Sequence, residues 1–242
     1  MEVFIQQVVS GLATGGIYAS LALALVMIYQ ATDVVNFAQG EMAMFSTYLA
    51  WSMLHAGVPY WLTFCATLVI AFVGGLLIER VVIRPVENAP ILAIVIVSIG
   101  LLVILNSVAG WIYSYIQKPF PSPFPSRLCG IRVSWMLAPG WGLAATFGAV
   151  AGMMVAPIVF LDPNMMGGIQ IYAFAAATVG GFTSPPGAVV GGLLVGVTEN
   201  LVGTYVPFIG TELKLTVALA MIIIVLLVRP SGLFGRTIVG RV

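Results

Sequence analysis

Asp33, Asn36, Gln39 and Glu41 place four polar side chains within nine residues of a chain in which only 7% of residues are charged. They belong to the stretch Asp33-Val34-Val35-Asn36-Phe37-Ala38-Gln39-Gly40-Glu41-Met42, which separates an apolar run ending near Tyr29 from another starting near Met42. Polar groups at such a place are tolerated where protein or a water-filled cavity satisfies them. Ionisable groups there mark solute paths or proton relays. Asn36, Gln39, Gly40 and Glu41 are therefore candidates to line a translocation path. The same residues also suit a short polar turn that only touches headgroups.

Two further places carry the same kind of chemistry. Glu199, beside Asn200, lies inside an apolar run, and Gly192, Gly196, Glu199 and Gly203 share one helical face. That face points the carboxylate into a helix–helix seam, as a path group or as a structural carboxylate bonded to a neighbouring helix. Gly180-Gly181-Phe182-Thr183-Ser184-Pro185-Pro186-Gly187 forms a second break between apolar runs. Paired Gly/Pro-interrupted segments point to a transporter's path, so Gly181 joins the candidates, with the two breaks expected to flank that path. A hydrolase built on Ser184 and His55 is disfavoured: a nucleophile needs a base within reach and an orienting third group. The only histidine precedes the turn Gly57-Val58-Pro59 and suits a membrane interface.

The elements that must hold these residues follow from composition. The chain has 242 residues, 61% of them hydrophobic, and a mean hydropathy of +1.12. A soluble domain is nearer half apolar and about a quarter charged. The expected fold is all-α, a polytopic membrane bundle of about seven or eight spans, each of about 20 residues, with broken or re-entrant segments. Continuous rather than alternating apolar runs argue against a β-barrel. A net charge of +1 without a basic stripe argues against nucleic acid. The first run reads as a retained span, because no positive segment precedes it. Two cysteines imply no disulfide framework, and neither has a metal-ligand partner in sequence.

In order, the spans are expected near Gln7–Tyr29, Glu41–His55, Tyr60–Ile78, Pro90–Ala109, Ser134–Phe160, Gly168–Phe182, Pro186–Pro207 and Leu213–Val228. Gly11, Gly15, Tyr18 and Ala22 make a narrow close-packing face on the first, and Gly148/Gly152, Gly187/Gly191 and Gly192/Gly196 repeat the small-residue spacing. Trp111, Tyr113 and Tyr115 read as an aromatic belt after the fourth, and Pro139 as a kink in the fifth. Arg80 and Arg84 after the third span mark a cytoplasmic side, which puts the N-terminus outside. The count then conflicts with the basic residues that follow. Arg127 and Arg132 would lie outside, and so would the tail from Arg229 to Arg241, although both sets belong inside. Either one run is re-entrant or a span is missing between Ser126 and Arg127. The missing span repairs both conflicts at once and puts the C-terminus in the cytoplasm.

The motifs NFAQGEMAMFSTYLA, ERVVIRPV, RLCGIRVSWMLA, GGFTSPPGAVVGGLLVGVTEN and RPSGLFG, in that order along nearly the whole chain, resemble the H-type permease subunit of branched-chain amino acid ATP-binding-cassette importers. The resemblance implies a single permease domain, 1–242, in the inner membrane and no enzyme activity. It also implies partners: a second permease subunit, two cytoplasmic ATPases, a periplasmic substrate-binding protein and membrane lipid. No cofactor belongs to this chain, since ATP is bound by the separate ATPase subunits. The implied substrates are branched-chain or related small amino acids. Such permeases carry another helix and an ATPase-docking loop where Ser126 here meets Arg127, so the resemblance implies an internal deletion at that junction. Arg127, Gly130 and Arg132 of the motif beside it become the candidates for coupling to the ATPase. The competing reading is an ion-coupled secondary transporter of small polar solutes, with Glu41 and Glu199 as relay groups.

Overall fold

The computed structural model describes residues 2–87, 89–121, 140–206 and 213–235, with side chains left undescribed at position 2 and at 140–144. Eight α-helices occur among them: α1 (Glu2–Thr32), α2 (Gln39–His55), α3 (Tyr60–Ile78), α4 (Ile91–Tyr113), α5 (Gly140–Val159), α6 (Met166–Gly180), α7 (Pro185–Tyr205) and α8 (Lys214–Val228). A π turn (Glu79–Ile83) and a 3-10 turn (Arg84–Val86) extend α3. All eight expected spans are present as helices. The first is longer than expected, because nothing in residues 2–6 opposes helix and α1 stops only at Asp33, whose φ of 54° is left-handed. The fourth runs on to Tyr113, so Trp111 and Tyr113 are helical rather than a belt beyond the helix. Pro139 and the 126/127 junction lie outside the described residues. The proline inside α5 is Pro157.

Among the described residues, four helical stretches are long and apolar enough to cross a membrane: Val3–Thr32, Tyr60–Val86, Ile91–Tyr113 and Pro185–Tyr205. Ala145–Val159, Met166–Gly180 and Lys214–Val228 are shorter apolar helices. The exposed faces of α3 and α4 carry Trp61, Leu62, Val69, Ile96, Val103 and Trp111, while Thr63, Thr67 and Ser98 are buried. Apolar patches this extensive on an outer face mark an interaction surface. Outer faces this apolar, laid over buried threonine and serine, are what lipid demands and water forbids, so the chain is a multi-pass membrane protein.

The chain divides into two compact units, Met1–Asn36 with Gly167–Val242, and Phe37–Met166. The first division falls inside the polar stretch. In the first unit, α1 and α7 pack along their glycines. A Cβ on Gly11 would lie 2.6 Å from the Val197 Cα, and one on Gly196 would lie 2.5 Å from the Gly11 carbonyl oxygen. Gly15 meets Gly192 and Leu193 in the same way. The other stripe of α7 faces α6, where Gly191 approaches the Ala176 carbonyl and Gly187 that of Gly180. One helix thus uses two glycine stripes against two neighbours.

In the second unit α2 is central, packing against α3, α4 and α5. Gly148 and Gly152 of α5 leave room for the Gln39 and Thr47 side chains of α2. Outside the helices, Lys118 and Leu161 exchange a pair of backbone hydrogen bonds, each 2.9 Å.

Candidate functional site

Gln39, Gly40 and Glu41 form the first turn of α2 and all three are buried. Glu41 lies on α2 seven residues before Tyr48, two turns along one face. From α4, Asn106 Nδ2 donates to Glu41 Oε2 (3.4 Å), to the Pro163 carbonyl (2.9 Å) and to Asn164 Oδ1 (3.2 Å). The Asn106 Oδ1 accepts from the Tyr115 hydroxyl at 3.4 Å. Asn106 therefore ties the α2 carboxylate to α4 and to the segment before α6. Tyr48 stacks on Tyr113 with centroids 4.4 Å apart, and it is fully buried. Its hydroxyl has no hydrogen-bond partner among the described residues. Buried polar atoms in folded proteins are nearly always paired, with water if not with protein.

The C-terminal end of α2 is held separately. The Trp51 ring packs at a tilt against that of His55 with centroids 3.7 Å apart, its Nε1 donates to the Pro119 carbonyl, and the Lys118 ammonium lies 4.7 Å from its ring centroid. His55 is exposed and engaged with the Trp51 carbonyl.

The first unit holds the second polar cluster. Glu199, buried in the α1–α7 seam, accepts from the Tyr18 hydroxyl at 2.8 Å. Tyr172 of α6 stacks on Tyr18 at 4.7 Å and brings its own hydroxyl to the same carboxyl. Next to it, Asn200 Nδ2 donates to Thr14 Oγ1 and to the Gly196 carbonyl, both at 3.1 Å, and the Lys214 ammonium donates to Asn200 Oδ1 at 3.3 Å. Removing an unsatisfied charge from hydrocarbon is what drives this clustering, since such a charge costs at least about 2.5 kcal/mol.

Gly181 follows the end of α6 in the turn to α7, whose first residue, Pro185, is about 20 Å of helical rise from Glu199. The Gly181 φ of 100° is open only to glycine, and the backbone of Ser231–Gly235 is packed onto it. There the Leu233 and Phe234 amides donate to the Val179 and Gly180 carbonyls (2.8 and 3.0 Å), which the end of α6 leaves without helical partners. Ser184 is the N-cap of α7, its Oγ accepting from the Gly187 amide at 3.1 Å. From α1, Gln30 Nε2 donates to the Thr183 carbonyl at 2.9 Å and Tyr29 packs on Phe182.

Among the sequence candidates, then, Gln39, Gly40 and Glu41 share one helical turn. Glu199 lies in the seam that its glycine spacing indicates. Asn36 is buried in the first unit. Arg127, Gly130 and Arg132 lie outside the described residues. Reading the sequence missed Asn106, Asn164, Tyr172 and Lys214. The signal for Asn106 was available, as a lone amide deep in the run from Pro90 to Ala109.

Comparison with known proteins identifies the protein's relatives. The family described as branched-chain amino acid transport system / permease component matches residues 7–125 and 121–226. The high-affinity branched-chain amino acid transport system permease protein LivH of Escherichia coli K12 is 29% identical over 306 aligned residues, covering 99% of this chain and 98% of that protein. LivH of Salmonella typhimurium is 28% identical with the same coverage. BraD of Pseudomonas aeruginosa, a permease protein of the same description, is 27% identical over 304 residues, again covering 99% and 98%. No solved structure matches. The family match extends over most of the chain and the relatives align end to end, so this chain belongs to the permease components of branched-chain amino acid transport systems.

Proposed function

We propose that the chain serves as one of two permease subunits of an ATP-driven importer, joined by a related permease, two cytoplasmic ATPases and an external substrate-binding protein. The substrate class is branched-chain or closely related small amino acids. The subunit performs no covalent chemistry; nucleotide-driven movement of its partners shifts its helices between two arrangements. Family membership supports this over an ion-coupled carrier.

The polar face of α2 is the proposed path lining. The observation that carries this is the buried Tyr48 hydroxyl with no partner among the described residues, two turns from Glu41 on the same face. A hydroxyl left so at membrane depth calls for water or solute. Gln39 and Gly40 lie on the same first turn, and Asn36, Gly181 and Glu199 remain further candidates for a path, proposed from their places in the sequence. Arg127, Gly130 and Arg132 are proposed to couple to the ATPase.

The N-terminus is proposed to face outside and the tail after Arg229 the cytoplasm. A deletion at the 126/127 junction of this single permease domain reconciles the arginines with that orientation. It is supported by an alignment of 306 positions against 242 residues, and by the family match breaking into two segments near residues 121–125. The test of function is co-purification with the cognate ATPases and second permease, followed by uptake of labelled leucine, isoleucine and valine into vesicles supplied with binding protein. Failure to associate with an ATPase, together with uptake driven by an ion gradient alone, would refute the reading.

A further inference from the structure

Around Asn106 of α4 the second unit gathers more hydrogen-bond acceptors than donors. The Asn106 Oδ1 faces the Tyr115 hydroxyl, which sets the amide so that Nδ2 points at three acceptors: the Glu41 carboxylate, the Pro163 carbonyl and Asn164 Oδ1. An amide nitrogen has two hydrogens, so one of the three always goes without. Glu41 is 6% exposed, and Asn106 is the only described side chain acting on its carboxylate. An ionised carboxylate accepts up to about four hydrogen bonds. Asp162, two residues before Asn164, takes one from the Asn164 amide at 2.8 Å. Neither acid is ion-paired among the described residues. Lys118, paired through its backbone with Leu161, holds its ammonium over the Trp51 ring instead.

The Tyr48 hydroxyl points to the same place independently. It is fully buried and has no partner among the described residues. Side chains on a helix lean toward its N-terminus, so Tyr48 leans toward the Glu41 end of α2, and its hydroxyl lies within reach of the Asp162 charge. The ring is held there by stacking on Tyr113, whose own hydroxyl is bonded to that of Ser52 at 3.0 Å. Asn164 and Tyr115 at the rim are exposed, so the cluster is open to a solute. It lacks a group that carries several donors together with a positive charge. Water brings two donors and no charge. A hard divalent cation takes six or more oxygen ligands, and among the described residues no three metal-ligating side chains meet. A primary ammonium brings three donors and one charge.

We infer that Glu41, Asp162 and the Tyr48 hydroxyl receive a primary ammonium group. On the path reading proposed above, on which this rests, the ammonium is that of the transported amino acid. The two carboxylates accept hydrogens from it and balance its charge at a depth where a bare cation is costly, and the Tyr48 oxygen accepts a further hydrogen. Asn106 and Tyr115 are positioning residues that hold Glu41 in place. The site reads the amino group, which all the proposed substrates share, and not the branched side chain.

The test uses the purified full-length protein in detergent and two fragments of leucine: isopentylamine, which keeps the amino group, and isocaproate, which keeps the carboxylate. Saturation-transfer NMR should show isopentylamine bound and displaced by leucine, and isocaproate at the same concentration not bound. Glu41→Gln and Asp162→Asn should each weaken isopentylamine binding by about tenfold or more, the scale of a lost charge-assisted hydrogen bond. Because glutamine adds a donor where donors are short, Glu41→Gln should melt at the same temperature as the unmodified protein or higher. Isocaproate binding as well as the amine, displacement of the amine by sodium ions as readily as by leucine, unaltered amine binding in both variants, or a lower melting temperature of Glu41→Gln would each overturn the site. Leucine uptake by the assembled transporter separates this site from the path. Reduced uptake in Tyr48→Phe, with no amine bound by the purified chain, would overturn the ammonium site and leave the path standing. Amine binding that depends on Glu41 and Asp162, with normal uptake in Tyr48→Phe, would uphold the site and refute the path.

Discussion

The Tyr18 and Tyr48 hydroxyls are both buried, yet one donates to a carboxylate at 2.8 Å and the other has no partner among the described residues. Their removal should therefore act in different ways. Tyr18→Phe withdraws one of the donors to Glu199 and should lower the unfolding free energy in detergent by about 1 kcal/mol, within the range for interhelical hydrogen bonds in membranes. In a double-mutant cycle with Glu199→Gln the losses should be less than additive; strict additivity would show that the pair is not coupled. Tyr48→Phe deletes a polar atom that no described residue satisfies, so thermal stability should hold or rise slightly. Leucine uptake by the assembled transporter should nevertheless fall severalfold, because the hydroxyl lies on the proposed path with Glu41. Normal uptake in Tyr48→Phe would remove α2's face from the path.

The helices are positioned chiefly by glycine. Gly196 sits where a Cβ would meet the Gly11 carbonyl and the Gly15 backbone at 2.5 Å, so Gly196→Leu must force α1 and α7 apart. Overpacking of this kind costs about 1–3 kcal/mol, and backbone rather than a flexible side chain stands in the way, which favours the upper end. Gly16, one residue from the seam, has nothing within 4 Å of where an added methyl group would lie. Gly16→Ala should be neutral or stabilising by about 0.5–1 kcal/mol, since alanine is the better helix former. Thermal melts of the two variants in one detergent check the contrast. Equal melting temperatures would mean that the α1–α7 contact does not limit stability.

For the molecule as a whole, the proposed orientation and the proposed ATPase coupling both rest on arginines. Leu233→Cys, in a chain whose Cys65 and Cys129 are serine, places a thiol at a residue that is 39% exposed beyond Arg229. It should resist a membrane-impermeant maleimide in intact cells and react after permeabilisation. Ready labelling in intact cells would reverse the proposed topology. The segment Lys118 to Ser126 has nine residues and can reach at most about 30 Å, barely the thickness of the hydrocarbon core, and backbone exposed to lipid there is costly. On the proposed deletion at the 126/127 junction, the chain should support little binding-protein-stimulated ATP hydrolysis when reconstituted with its partners. Stimulation equal to that of a relative carrying the full segment would show the segment to be dispensable.

Sequence alone determined the helices, because about 20 apolar residues in a row have few other stable forms in a bilayer. Tyr60–Ile78 is found with its expected ends, and the glycine stripes were legible because close approach of two helices needs small residues at i and i+4. The sequence also indicated that Glu199 faces a seam, since its neighbours at helical spacing are glycines. It could not name the partners, which are set by packing between residues far apart in the chain. Asn106 meets Glu41 across 65 positions and Tyr18 meets Glu199 across 181. Nor could it show that Gly181 is covered by Ser231–Gly235, because the left-handed turn and the orphan carbonyls of α6 become a docking place only once the tail has folded back onto them. Hydrophobic pattern and residue size act locally and can be read from the chain; hydrogen-bond satisfaction is a property of neighbours, and tertiary structure chooses them.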